Sequence, residues 1–272
     1  MMETARRKYS IIVVTFNNAD GLERTLRSIC QLDYAPKETI VIDGGSKDGS
    51  LDIIERNKDI ITVAVSEKDT GIYNAMNKGI RLATGDYVAF MNAGDEFADK
   101  DVLSLVSGYD GDIILGEDIY GGQRRTLKER MTLYDLLSIG IYHQAVYYRR
   151  EVLQKYGFDE SYKLIADLKS VVEPLLKDRI TISCVTQPLA ICESGGVSKQ
   201  RWRDTLVENR RMIDELVDPL YKDDYLKMAR INNSMIDDFM VLSYFPKTFP
   251  LLRGLAKIVR FLNDKFKHIP IE

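Results

Sequence analysis

Histidine is scarce in this 272-residue sequence. His143 and His268 are the whole supply, too few for a histidine-rich zinc site. Cysteine is scarce too. Cys30, Cys184 and Cys192 are odd in number and lie in apolar contexts, so they read as buried thiols in a reducing compartment, and the expected location is cytoplasmic. No run of about 18 or more apolar residues occurs, so no segment is expected to span a membrane. No apolar stretch of signal-peptide length precedes Tyr9. A large charge of one sign is also lacking: the net charge is −3, which gives no basic field for nucleic acid. Two phosphate-binding signatures are missing. There is no Walker A pattern, and no G-x-G-x-x-G follows Thr15, so P-loop and Rossmann dinucleotide readings fail. No internal repeat of solenoid period appears.

What is present is a soluble composition, 45% hydrophobic and 29% charged, with enough apolar residues for a real core. Residues 9–15 (Y-S-I-I-V-V-T) form an almost uninterrupted apolar, β-branched run, the mark of a strand buried on both faces. A helical pattern over 22–32 follows, then a strand over 38–43, a short helix over 51–57 and a strand over 60–65. Ile72, Met76 and Ile80 predict a helix over 72–82, and Tyr87 to Met91 a central strand. Strand and helix alternating at this spacing predict a parallel sheet of βαβ units. Beyond it the pattern predicts helices over 99–109, 131–140, 150–156 and 166–177, the last interrupted by Pro174. Strands are expected over 112–115, 145–148 and 180–185, and helices from Trp202 on.

Acids gather where these strands end. Asp43 closes the second strand, Asp69 opens the loop before the 72–82 helix, and Asn92-Ala93-Gly94-Asp95 follows the central strand. Open α/β sheets bind ligands beyond the carboxyl ends of their strands. Carboxylates there suit a nucleotide, whose base N–H and ribose hydroxyls they can accept from, and a divalent cation shared with diphosphate oxygens. The competing reading is that Asp43 and Asp95 only favour turns.

Three stretches carry a specific resemblance: Ser10 to Asn17 (S-I-I-V-V-T-F-N), Val41 to Ser50 (V-I-D-G-G-S-K-D-G-S) and Gly71 to Gly79 (G-I-Y-N-A-M-N-K-G). In this order they resemble family 2 glycosyltransferases of the GT-A fold, densely in the first half and sparsely in the second. The resemblance implies an α/β fold with a mostly parallel central sheet flanked by helices and a helical C-terminal extension. It divides the chain into a glycosyltransferase domain over 1–200, with a nucleotide-sugar half (1–98) and an acceptor half (99–200), and an extension over 201–272. It implies inverting transfer from a nucleotide-diphosphate sugar, UDP being the expected nucleotide, with Mg²⁺ or Mn²⁺. Thr15 and Asn17 would line the nucleotide pocket, Asp43 would meet the base, and Asp69 the base or ribose. Asn92 and Gly94 lie where the family has its D-x-D metal motif. The chain departs there, and Asp95 is left as the expected metal ligand. Lys78, on the helix taken to face this loop, is a candidate for phosphate.

Inversion needs a base for the acceptor hydroxyl. The resemblance assigns it to Asp167, in Ile165-Ala166-Asp167, against the alternative of a first-turn acid favoured by the helix dipole. Glu117, Asp118 and His143 are expected to line the acceptor site. The glycines of 194–198 suggest a loop able to close over the diphosphate.

The tail is distinct in charge. From Lys247 to His268 it has six Lys/Arg against one acid, Asp264. Leu251, Leu255, Ile258, Val259, Leu262 and Phe266 share one helical face. Such a helix fits the inner surface of an anionic bilayer, as suits a lipid-linked or glycan acceptor, or it packs on the body or on a second copy in a homodimer. Two rivals to the enzyme reading are a nucleotidyltransferase, which lacks its Gly-rich basic signature at Thr15-Phe16-Asn17-Asn18, and a degenerate binding subunit, supported only by Asn92.

Overall fold

A computed structural model describes residues 6–193 and 201–222. The 194–198 loop and the basic tail fall outside them. The chain runs β1 (Tyr9–Thr15), α1 (Ala19–Cys30), β2 (Lys37–Asp43), α2 (Ser50–Arg56), β3 (Val63–Ser66), α3 (Ile72–Leu82), β4 (Tyr87–Asn92) and β5 (Glu96–Phe97). It continues α4 (Val102–Ser107), β6 (Ile113–Tyr120), β7 (Gln123–Arg125), α5 (Leu133–Ile139), a 3₁₀ turn (His143–Ala145), β8 (Val146–Arg149), α6 (Arg150–Tyr156), α7 (Ala166–Asp178), β9 (Ile182–Cys192) and α8 (Trp202–Leu216).

The strands form one sheet in the order β3-β2-β1-β4-β8-β6-β9-β5, with β7 paired to β6. β3, β2, β1 and β4 are parallel. β8 is antiparallel to both β4 and β6, and β6 and β9 are parallel. All seven residues of β1 are buried because helices cover both faces. Ile12, Val14, Ile40, Ile42, Val88 and Phe90 face α3, α6 and α7, while Ile11, Val13, Val41 and Met91 face α1 and α4. Each such fully buried side chain contributes about 1.5–3 kcal/mol relative to exposure.

The second half differs from its sequence pattern. β6 does not stop at Leu115. It runs on through Gly116, Glu117 and Asp118, with register shifts against β9 on either side of Glu117. α7 continues through Pro174 without interruption. α8 lies in the same compact unit as the sheet, which runs to Pro219. The reason is visible in its contacts. Met212 is fully buried in the core, and the Glu208 carboxylate accepts the backbone N–H groups of Lys163, Leu164 and Ile165 at 2.8, 2.9 and 3.2 Å. Those three bonds fix the turn that starts α7, and α7 carries Asp167.

Candidate active site

The four parallel strands end together. Thr15 lies in register with Asp43, Asp43 with Ser66, and Val14 with Asn92. This edge holds the candidate nucleotide residues. Asp43 is fully buried; its Oδ2 accepts from Gly45 N (3.1 Å), Ser46 N (3.1 Å) and Ser66 Oγ (2.5 Å). Its Oδ1 takes only a long 3.3 Å bond from Ser46 N, so one oxygen keeps accepting capacity. Asn17 joins the two loops: its N–H donates to Ser46 Oγ (2.7 Å), and its Oδ1 accepts from Lys47 N (2.8 Å). Thr15 Oγ1 is buried with no hydrogen-bond partner among the described residues. Asp69 accepts from Gly71 N at 3.0 Å, and its other oxygen packs so closely on Gly44 that a Cβ there would lie 2.5 Å from it. The Phe16 ring also rests against Gly44, yet Phe16 is 63% exposed. Left open beside the buried Asp43 and the half-buried Asp69, this apolar ring offers a flat surface on which a planar group could stack. Sequence reading passed over Phe16 because a single aromatic between Thr15 and Asn17 has no periodicity.

Lys78 is placed differently from the expectation. Its ammonium pairs with Glu67 (2.8 Å) and donates to Lys68 O (3.1 Å), just past the end of β3. β3 lies three strands from β4, or about 14 Å at ordinary strand spacing. Lys78 therefore sits at the β3 end, away from the loop after β4.

That loop is a tight turn, with Asp95 N donating to Asn92 O at 3.0 Å. Gly94 sits at φ 111°, where side chains are strained, and a Cβ there would run into the Glu193 carboxylate. Asn18 caps α1 by accepting from Gly21 N (3.0 Å) and donates to Ala93 O (2.8 Å), tying the loop to that helix. Asp95 is 3% exposed. Its Oδ2 accepts from Asn92 N (3.0 Å) and Gln144 Nε2 (2.7 Å), and its Oδ1 from Glu193 N (2.9 Å). A carboxylate has about four lone-pair sites, so one remains, on Oδ1. That suits a single bond to a divalent ion held otherwise by diphosphate and water. Among the described residues no group of three or more His, Cys, Asp or Glu could hold a metal by itself.

The other half brings His143 and Asp167 to this edge. Asp167 lies in the first turn of α7, its side chain 14% exposed. Its Oδ1 accepts from Tyr73 OH (3.3 Å) and Leu168 N (2.9 Å). Its Oδ2 lies 3.2 Å from His143 Nδ1, and His143 Nε2 lies 3.2 Å from Asn92 Oδ1. Burial, reinforced by the Asp167 charge, pushes the Tyr73 phenol well above its usual pKa, so it stays a donor. Tyr73 escaped sequence reading as a site residue because its partner lies far along the chain.

Glu117 and Asp118 were expected at the acceptor site. They lie within β6 and are almost fully buried. Glu117 pairs with Arg124 and accepts from Leu127 N (3.1 Å); Asp118 accepts from Arg125 Nη2 at 2.6 Å. Both hold the β6–β7 hairpin. Arg125 also covers the Tyr142 ring, 4.0 Å from its centre, and Tyr142 stacks on Tyr120.

Known proteins agree with this architecture. A PGL/p-HBAD biosynthesis glycosyltransferase of Mycobacterium bovis is 32% identical over 169 residues, 58% of this chain and 66% of that protein, so the chain spans just under two thirds of that relative. A mannosyltransferase from Pyrobaculum calidifontis, solved with GDP-Man and Mn²⁺, superposes with TM-score 0.65 at 18% identity, over 94% of this chain and 81% of that one. S. aureus TarS 1-349, solved with UDP-GlcNAc, gives 0.64 at 19% identity, over 80% and 70%. The model of glycosyl transferase family 2 matches residues 10–157, more than half of the sequence. On that match, the chain belongs to glycosyl transferase family 2.

Proposed function

We propose that the chain is an inverting glycosyltransferase that moves a hexosyl or N-acetylhexosaminyl unit from a nucleotide-diphosphate sugar, UDP being the expected nucleotide, to a glycan or lipid-linked acceptor. The observation that carries the reading is the state of Asp167. Three donors or ring contacts occupy its carboxylate, and one lone pair on Oδ2 remains. A group so held can take the proton of an acceptor hydroxyl as that oxygen attacks the anomeric carbon. The bond from that carbon to the diphosphate breaks, and its electron pair leaves with the nucleotide.

Phe16, Asp43, Asp69 and Thr15 line the edge at which the nucleotide binds in this reading. Phe16 stacks on the base, Asp43 Oδ1 accepts from it, and Asp69 meets the ribose. Asp95 would hold Mg²⁺ or Mn²⁺ through Oδ1; bound there, the ion would neutralise charge on the departing diphosphate. The two solved relatives were each crystallised with a nucleotide-diphosphate sugar, one of them with Mn²⁺ as well. No helix among the described residues is long and apolar enough to cross a membrane. A lipid-linked acceptor would be reached by peripheral attachment through the basic tail.

The test is a panel of nucleotide sugars screened by thermal shift, followed by hydrolysis and transfer assays with and without Mn²⁺. A bound nucleotide sugar raises the melting temperature. No turnover of any common donor in either condition, from a folded protein, would sink the reading.

A further inference from the structure

Asn92 occupies the place of an acid in the related motif. As a damaged metal ligand, it would count toward a degenerate protein. Its contacts point elsewhere. It faces His143 Nε2, and His143 faces the carboxylate of Asp167 through its other nitrogen. The three side chains form one line from the loop after β4 to the first turn of α7. His143 is 7% exposed, so water does little to satisfy its ring.

Count the hydrogens on that line. A neutral imidazole carries one N–H and one bare nitrogen. Asp167 Oδ2 can only accept, so an N–H on Nδ1 satisfies both. Nε2 is then bare and needs a donor. The carboxamide of Asn92 presents Oδ1 there in the structure, and a half turn of the amide puts Nδ2 in the same place. An aspartate at this position has no hydrogen to offer. It would draw the N–H to Nε2 and leave two lone pairs facing each other at Asp167, or it would force a second proton onto the ring. A doubly protonated ring against Asp167 would weaken that carboxylate as a proton acceptor.

We propose that Asn92 sets the tautomer of His143, holding its N–H on Nδ1, and that His143 is thereby a positioning residue that aims Asp167 Oδ2 at the acceptor hydroxyl. The amide is the functional residue at this position, and the pair links the donor-side loop to the base. This rests on Asp167 as the base, but the tautomer is measurable without activity.

The sequence makes the measurement simple, because it has only two histidines. Protein labelled with ¹⁵N-histidine, with His268→Gln used to assign the peaks, reports which ring nitrogen of His143 carries hydrogen. The expected spectrum at mildly alkaline pH has a protonated Nδ1 and a bare Nε2. A hydrogen on Nε2 instead, or a ring averaging like free imidazole, overturns the assignment. Kinetics give the second readout. Asn92→Asp is expected to lower kcat about 10–100-fold, as loss of an orienting partner does, with donor KM and Mn²⁺ affinity little changed. Equal or higher turnover with tighter Mn²⁺ binding would mean that the position is a metal site after all. His143→Asn, whose amide can donate from about the place of Nδ1, should keep more kcat than His143→Leu. Equal losses in the two variants would reject the positioning role. If instead Asp167→Asn leaves transfer intact, the base assignment fails while the tautomer result stands.

Discussion

The hydroxyl of Tyr73, near the start of α3, donates to Asp167 Oδ1 from 94 residues away. The bond joins the helix that opens beside the edge proposed for the nucleotide to the carboxylate proposed as base. Tyr73 is 7% exposed and stacks on Phe158, so it is held on its far side as well. Asp167→Asn keeps the shape of the carboxylate and removes its basicity. Transfer is expected to fall by at least about 10²-fold, while the thermal shift caused by the donor is unchanged. Near-normal transfer by the folded variant would remove Asp167 from the chemistry.

Phe16→Ala tests the stacking surface. The ring is 63% exposed, so the melting temperature of the free protein should hardly move. Nucleotide affinity should drop by about 1–3 kcal/mol, the usual worth of a base–aromatic stack. Calorimetric titration with the free nucleoside diphosphate reads this directly. Unchanged affinity would mean that the base lies elsewhere.

Gly94→Ala should destabilise the protein by about 1–3 kcal/mol, because an L side chain is strained at this φ and because its Cβ meets the Glu193 carboxylate. Combining it with Glu193→Ala should recover only the steric part of the loss. Urea unfolding of the two variants separates the contributions; a full recovery would mean that backbone strain is negligible.

Glu38 gives a pH dependence. Burial raises its pKa, but the Lys8 ammonium and the hydroxyls of Ser10 and Thr84 outweigh that and hold it at about 2, against an ordinary value of 4.5. A carboxyl depressed on folding stabilises the native state above its unfolded pKa and loses that contribution as pH falls toward its folded one. Glu38→Gln should therefore cost about 1–3 kcal/mol at neutral pH. The gap between the two proteins should close as pH falls from 4.5 to about 2. A gap that stays constant over this range would show that Glu38 does not titrate with folding.

The strand edge proposed for the nucleotide was legible as a place in the fold because its parts are local. Apolar strands end on Thr15, Asp43 and Asn92, and parallel pairing brings those ends together. The second half was less legible for a physical reason. Glu117 and Asp118 read as loop acids after an apolar run, but their charges are matched by Arg124 and Arg125 across a tight hairpin, which lets the strand continue buried. Lys78 read as facing the loop after β4 because a helical wheel says which residues share a face, not which strand end lies beneath them. His143 was placed at the acceptor; its two ring contacts come from residues 51 positions before it and 24 after it. No spacing rule reaches such partners.

The position of β8 limits how this protein can be divided. It comes from the second half of the chain, yet it lies between β4 and β6 and pairs with both. A hybrid joined near residue 99 would keep the β6–β8 ladder but would have to recreate β4–β8, and β5–β9 as well, with foreign partners. Exchanging halves between relatives would therefore disturb the central sheet itself, and not only the residues at its edge.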